Sequence, residues 1–455
     1  MVTFTRGSDE QPAGQKKRFS VLADVLRSRL ATNATWNVIG AVFNQGSTFA
    51  LGIVVAKALG REPYGSFAFL QGTLLMFTSI AQLALGFATI KYVSEYRALQ
   101  RERAGRIIGA SLSIALLTGF VAMALAAGGS QLLASRAAHQ PQLAPLILFG
   151  SPTIFFTTVG AILTGVLAGL ERFRTIAVTG VIAGIAYIAL GTAGALKLNL
   201  RGVAIALAMS AALQCFILLL AARREARRFG IEVRPGGIAD IRAESEALIH
   251  VTLPSTLIGF TYMGGLWVAM AILARQQNGI TQVALFNAAN TLRVLVNFVP
   301  ALINSVGFPL LSSRKGEADK AGYRRAFRAN LAAVVGVALC GAIAVAVVGP
   351  LILRLYGPSF LTGYPVLLIL LLATIPEAAA IAAYQVVQTH GSIWWTLLYV
   401  ALPRDLTTIV AVMLLAPRFG AAGLAGAILL GTLFGFCGAM MLFFRVRHLA
   451  MAEAA

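Results

Sequence analysis

The sequence predicts an all-α polytopic membrane protein, with twelve transmembrane helices in two parallel-repeat six-helix lobes around a central cavity. Three observations predict it. Of 455 residues, 58% are hydrophobic and only 12% charged, about half the charged fraction of a soluble globular chain. Apolar runs longer than the ~18 residues that favour a spanning helix recur along the whole length. A segment around Gly202 also resembles one around Gly423, at an offset of 221 residues.

The chain opens with 1–33, a basic segment in which Phe19, Leu22, Leu26 and Leu30 share one helical face, as in a helix lying on the cytoplasmic surface. The first lobe, 34–222, holds apolar runs at 34–57, 65–90, 107–128, 143–169, 175–196 and 202–222. A cytoplasmic linker, 223–248, carries Arg223-Arg-Glu-Ala-Arg-Arg and Arg234-Pro-Gly-Gly. The second lobe, 249–445, holds runs at 249–274, 283–311, 329–352, 365–389, 393–416 and 420–444, and a short cytoplasmic tail, 446–455, follows. None of the runs shows the alternation of polar and apolar residues that a barrel strand requires. The first run is too long, and too far from the N-terminus, for a signal peptide.

Lys and Arg set the orientation. With both termini cytoplasmic, 27 of the 37 basic residues fall on the cytoplasmic side and 8 on the other, while Arg293 and Arg404 fall inside spans. The formal charge of +20 is dispersed over short loops rather than gathered in one domain, so topology and attraction to anionic lipid headgroups explain it, and nucleic acid is not an expected partner. Cys215, Cys340 and Cys437 lie singly in different runs, and His139, His250, His390 and His448 are scattered. No metal site or cofactor is expected from them. No outer connection is long enough for a catalytic domain, the longest being about fifteen residues, Gly128 to Gln142; the chain therefore reads as a transporter, not an enzyme.

Polar residues inside the runs form stripes. Asn290, Arg293, Asn297 and Asn304 fall within an arc of about 60° and climb about 21 Å, most of a hydrocarbon core. An Arg at mid-span costs about 2.5–3.5 kcal/mol on insertion scales, so this face is expected to avoid lipid. Asn33, Asn37, Asn44 and Thr48 share a similar face of the first run, and Gln71, Thr78 and Gln82 one face of the second. Glu377, Tyr384 and Gln388 align on the tenth, and Arg404 and Asp405 interrupt the eleventh directly after Pro403, which frees backbone carbonyls and permits a kink.

The halves look related. Asn199-Leu-Arg-Gly-Val-Ala-Ile-Ala-Leu-Ala resembles Arg418-Phe-Gly-Ala-Ala-Gly-Leu-Ala-Gly-Ala, and the basic connection from Lys91 corresponds to that near Ser312 at the same offset. Six spans per half is an even number, so the repeat is parallel.

Ala58-Leu-Gly-Arg-Glu-Pro-Tyr-Gly-Ser-Phe-Ala-Phe, Leu85-Gly-Phe-Ala-Thr-Ile-Lys-Tyr-Val-Ser-Glu-Tyr, Leu285-Phe-Asn-Ala-Ala-Asn-Thr-Leu-Arg, Gly307-Phe-Pro-Leu-Leu-Ser and Phe419-Gly-Ala-Ala-Gly-Leu-Ala resemble polysaccharide (Wzx-type) flippases of the multidrug/oligosaccharidyl-lipid/polysaccharide (MOP) exporter superfamily. The resemblance covers about residues 33–445, through loose small-residue patterns. It implies an inner-membrane protein of bacteria that moves a polyprenyl-pyrophosphate-linked oligosaccharide to the outer leaflet by alternating access, with a glycan polymerase and other assembly proteins as partners. Drug exporters of the superfamily also have twelve spans and remain an alternative, as does a membrane enzyme processing lipid-linked sugars. On the flippase reading, Arg293, with Arg404 as a second, supplies positive charge for the pyrophosphate, and Asn37, Asn44, Gln71, Gln82, Asn290, Asn297 and Asn304 bond sugar hydroxyls. Interhelical bonding explains the amides as well. Arg293 pairing with Glu377 or Asp405, and Arg404 pairing with Glu377, stay open. Glu377 and Asp405 are the candidates for ion coupling.

Overall fold

The computed structural model describes the backbone of residues 13–315, 320–388 and 393–452, and the side chains of 35–245, 252–301, 328–382 and 394–445. The readings that rest on Phe19, Leu22, Leu26, Leu30, Asn33, Asn304, Tyr384 and Gln388 lie outside the described side chains, as does the tail from 446. Among the described residues every regular element is helical.

Among the described residues nine helices are long and apolar enough to cross a membrane, or ten when the bent pair Arg61–Gln82 and Leu85–Tyr96 counts as one span. Two of these are too long for one crossing. Phe173–Arg228 has 56 residues, about 84 Å of helix against a ~30 Å core. It breaks at Leu198 and Asn199. Leu402–Ala452 breaks likewise at Gly420. Each folds back on itself, which gives twelve spans, as the apolar runs predict.

The two reversals share one design. Asn199 has φ 53°, ψ −142° and Gly420 φ 54°, ψ −128°, at positions 221 residues apart. Small residues let the two limbs touch. A Cβ on Gly202 would lie 2.2 Å from the carbonyl oxygen of Gly194, and one on Gly423 would lie 2.3 Å from that of Leu415. Gln282 caps the second reversal, its Oε1 accepting from the Ala421 N–H at 3.0 Å.

The spans are thus one (within Ala13–Leu59), two (Arg61–Gln82 and Leu85–Tyr96), three (Arg101–Gly128), four (141–169), five (173–197), six (200–228), seven (Ile238–Ala274), eight (Gly279–Lys315), nine (Lys320–Tyr356), ten (358–388), eleven (393–419) and twelve (421–452). Two of them are not straight helices. Span two bends by 43° where Leu83 and Ala84 both take left-handed backbone angles, directly after Gln82. Span eleven enters through a π-helical turn, Leu397–Ala401, because Pro403 has no N–H to donate to the turn before it.

The expected linker is mostly helix, since span six runs on to Arg228 and span seven starts at Ile238. What remains, 229–237, is docked. Ile231 and Val233 are buried in the first lobe, and the Gly236 N–H donates to Gly109 of span three at 2.9 Å. Glu244, only 3% exposed, sits 3.3 Å from Arg103 and 3.6 Å from Arg106. The first turns of span seven therefore rest on the first lobe.

The core is divided unevenly. One apolar cluster, from Leu85 to Val233, belongs to the first lobe alone, and a small one around Val334 and Ala378 to the second. The largest runs through both lobes, and its residues flank the connections after spans one, three, five, seven, nine and eleven. Large apolar side chains such as Leu117, Phe120, Phe216, Val347 and Leu414 stay exposed on the perimeter, where hydrocarbon, not water, is the solvent.

Candidate functional site

Four charges gather inside the second lobe. Arg293 on span eight donates through Nη2 to Glu377 Oε2 on span ten at 2.6 Å, and through Nη1 to Asn290 Oδ1 at 3.0 Å. Asn297, one turn on, donates to the same Oε2 at 2.8 Å. Arg404 on span eleven holds its neighbour Asp405 with two bonds, 2.7 and 3.1 Å, and its guanidinium lies 4.7 Å from the ring of Tyr262 on span seven. Arg404 thus pairs with Asp405, not with Glu377. The π turn ahead of Leu402 positions both residues on the inward face of span eleven.

All of these groups except the two asparagines border one cavity of about 30 Å³, along with Thr408 and Thr432. That is room for a water molecule or two. The cluster is electrically balanced, two guanidiniums against two carboxylates. Arg293 is its most buried member at 5% exposure, against 18% for Glu377 and 25% for Arg404. Its Nε is buried with no partner among the described residues.

The stripe expected on span eight is therefore real as geometry up to Asn297, but it faces span ten of its own lobe. In the first lobe Gln71 donates to the Tyr187 hydroxyl at 2.9 Å, tying span two to span five. Asn37 and Asn44 are exposed on span one, and Gln82 is half-buried at the bend of span two.

A second constellation, which sequence reading missed, joins the lobes. Tyr64, 1% exposed, packs against Tyr356 and Phe360 with ring centroids 5.5 Å away in each case, and its hydroxyl accepts from Asn287 at 3.0 Å. Trp267 donates to Thr73 at 3.0 Å, Arg61 reaches the Ser359 carbonyl at 3.4 Å, and Arg275 donates to the carbonyl of Ala137 at 3.2 Å. Gly65 backs directly onto Ile280, whose carbonyl oxygen would lie 2.0 Å from an added Cβ. Apart from the Trp267–Thr73 bond, which lies deeper, these contacts belong to the end of the molecule that carries the odd-numbered connections. Nothing in hydrophobic periodicity marks Tyr64, Trp267 or Tyr262, because they act across helices distant in sequence.

A family model for polysaccharide biosynthesis proteins matches residues 30–315. The chain belongs to that family. Among curated proteins it is 25% identical over 302 residues to the EPS I polysaccharide export inner membrane protein EpsE of Ralstonia nicotianae, across 64% of this chain. The chain spans 65% of that relative's length, just under two thirds. Its fold matches a multidrug resistance MATE family transporter of the MOP superfamily in the inward-facing conformation (TM-score 0.78, 15% identity, 93% of this chain and 99% of that one). It also matches the lipid II flippase MurJ in an inward closed conformation (TM-score 0.71, 16% identity, 90% and 87%). This polysaccharide biosynthesis family member thus has the two-lobe fold of the MOP superfamily, as its motifs imply.

Proposed function

We propose that the protein is a flippase that carries a polyprenyl-diphosphate-linked oligosaccharide from the cytoplasmic to the outer leaflet by alternating access. The observation that carries this reading is the Arg293 cluster, in which two donors converge on one anionic oxygen within a lobe that meets its partner through the Tyr64 contacts. With both termini cytoplasmic, as the basic residues predict, those contacts lie at the outer face and part when the path opens on that side.

A buried ion pair is weak as a stabilising device, since apolar residues of similar volume hold helices together as well or better. Its presence at mid-span, where charge is costly, supports a role in handling an anion. A drug-cation exporter needs a cavity with surplus negative charge; here each carboxylate is matched by a guanidinium.

Deleting the gene should leave lipid-linked sugar on the cytoplasmic leaflet, and Arg293→Ala should fail to restore export while reaching the membrane in normal amount. Full complementation by Arg293→Ala would remove the phosphate site. Normal leaflet distribution in the deletion strain would remove the flippase.

A further inference from the structure

Arg293 uses only part of its binding edge. A guanidinium presents Nε–H and one Nη group side by side, a fork that matches two oxygens of a carboxylate or phosphate. Here Nη2 holds Glu377 Oε2 at 2.6 Å, while Nε, beside it, is buried with no partner among the described residues. Asn297 completes a cradle on the same oxygen, and Asn290 fixes the far side of the guanidinium through Nη1. The carboxylate that covers this seat is also more exposed than the guanidinium beneath it, 18% against 5%.

We propose that Glu377 is an internal stand-in for the substrate's phosphate, so that a diphosphate displaces it from Arg293 and the freed carboxylate takes up one proton from the bulk solution, from hydronium or a buffer acid. The inference rests on the proposed function. Charge balance demands the proton. The cluster is neutral as it stands, and an anion entering beside an unpaired buried carboxylate would meet a surplus of negative charge in a poorly solvated place. Around Glu377 the charged and titratable groups are Arg293 on span eight, Tyr262 on span seven, and Arg404 and Asp405 on span eleven. Span nine contributes Val334 and Ala338, which are apolar. Arg404 is engaged by Asp405, which leaves Glu377 as the group that moves.

Binding of farnesyl diphosphate, with farnesol as control, to the full chain in nanodiscs tests this between pH 6 and 8. The bound form holds more protons on Glu377 than the free form, so affinity falls as pH rises, by up to about tenfold per unit for one linked proton. Glu377→Gln cannot carry the charge. It should bind the diphosphate more tightly than the parent at pH 8 and keep only the probe's own pH dependence, while Glu377→Asp retains the parent's slope. Glu377→Gln binding no tighter than the parent, or with an unchanged slope, overturns the displacement. Should that variant not fold, calorimetry of the parent at pH 8 in two buffers of different ionisation heat must show about one proton taken up per probe bound, and none taken up overturns it equally. A parent that prefers farnesyl diphosphate over farnesol at no pH instead refutes the phosphate site itself.

Discussion

Tyr64 shows how one residue can hold two lobes together. Its ring fills a pocket made by Tyr356 and Phe360 of the other lobe, and truncating a large buried aromatic side chain costs about 3–5 kcal/mol. On the proposed alternating-access cycle, Tyr64→Ala loses that packing in the sealed state, whereas an outward-open state has already given it up, so the substitution shifts the population outward. With Cys215, Cys340 and Cys437 replaced by serine, a cysteine at Thr291 should then react faster with a membrane-impermeant thiol reagent added outside. Tyr64→Phe keeps the ring but leaves Asn287 without its acceptor, worth about 0.5–1.5 kcal/mol, and should raise the labelling rate by less. Equal rates in all three proteins would mean that the contact does not govern opening. At this scale the sequence tells half the story. The 3- and 4-residue spacings put Asn290, Arg293 and Asn297 on one face, and the structure keeps them there; which partner that face meets is a matter of how spans eight and ten pack, and helical period carries no information about it.

For helices the limiting factor is where they reverse. Asn199 takes a backbone conformation that favours glycine, held there by the contact between Gly194 and Gly202. Strain of this kind is worth on the order of 1–3 kcal/mol. Asn199→Gly should therefore raise the melting temperature in detergent, and Asn199→Val should lower it. Gly202→Leu should be worse than either, because its side chain has to enter the space of the Gly194 backbone. A melting temperature indifferent to all three would mean that the spans are held by their other neighbours. The twelve runs were legible because each is an unbroken apolar stretch longer than a core helix. The bend at Leu83 and Ala84 was not, since neither residue is a proline or glycine and the angles there are imposed by packing against other spans.

Considered as a whole molecule, the chain assigns the start of span seven to the lobe that precedes it. Glu244 lies buried between Arg103 and Arg106, and Gly236 is bonded to span three, so the connection between lobes is fixed at one end. Removing a charged hydrogen-bonding partner at such a site costs about 1.5–3 kcal/mol. Glu244→Ala should speed amide exchange over 229–245 by about tenfold or more, without altering the rest of the first lobe. Unchanged exchange would credit Ile231, Val233 and the Gly236 bond with the docking. A linker was the natural reading of a polar, proline- and glycine-containing stretch at mid-chain; its attachment depends on long-range pairings between Arg103, Arg106 and Glu244 that composition does not reveal.

The paired turns at Asn199 and Gly420 also bear on where the chain can be cut. A backbone that doubles back over one or two residues leaves no extended segment projecting from the bundle, and a protease needs such a segment to bind its substrate. Limited digestion therefore spares these two hairpins and falls on longer connections first.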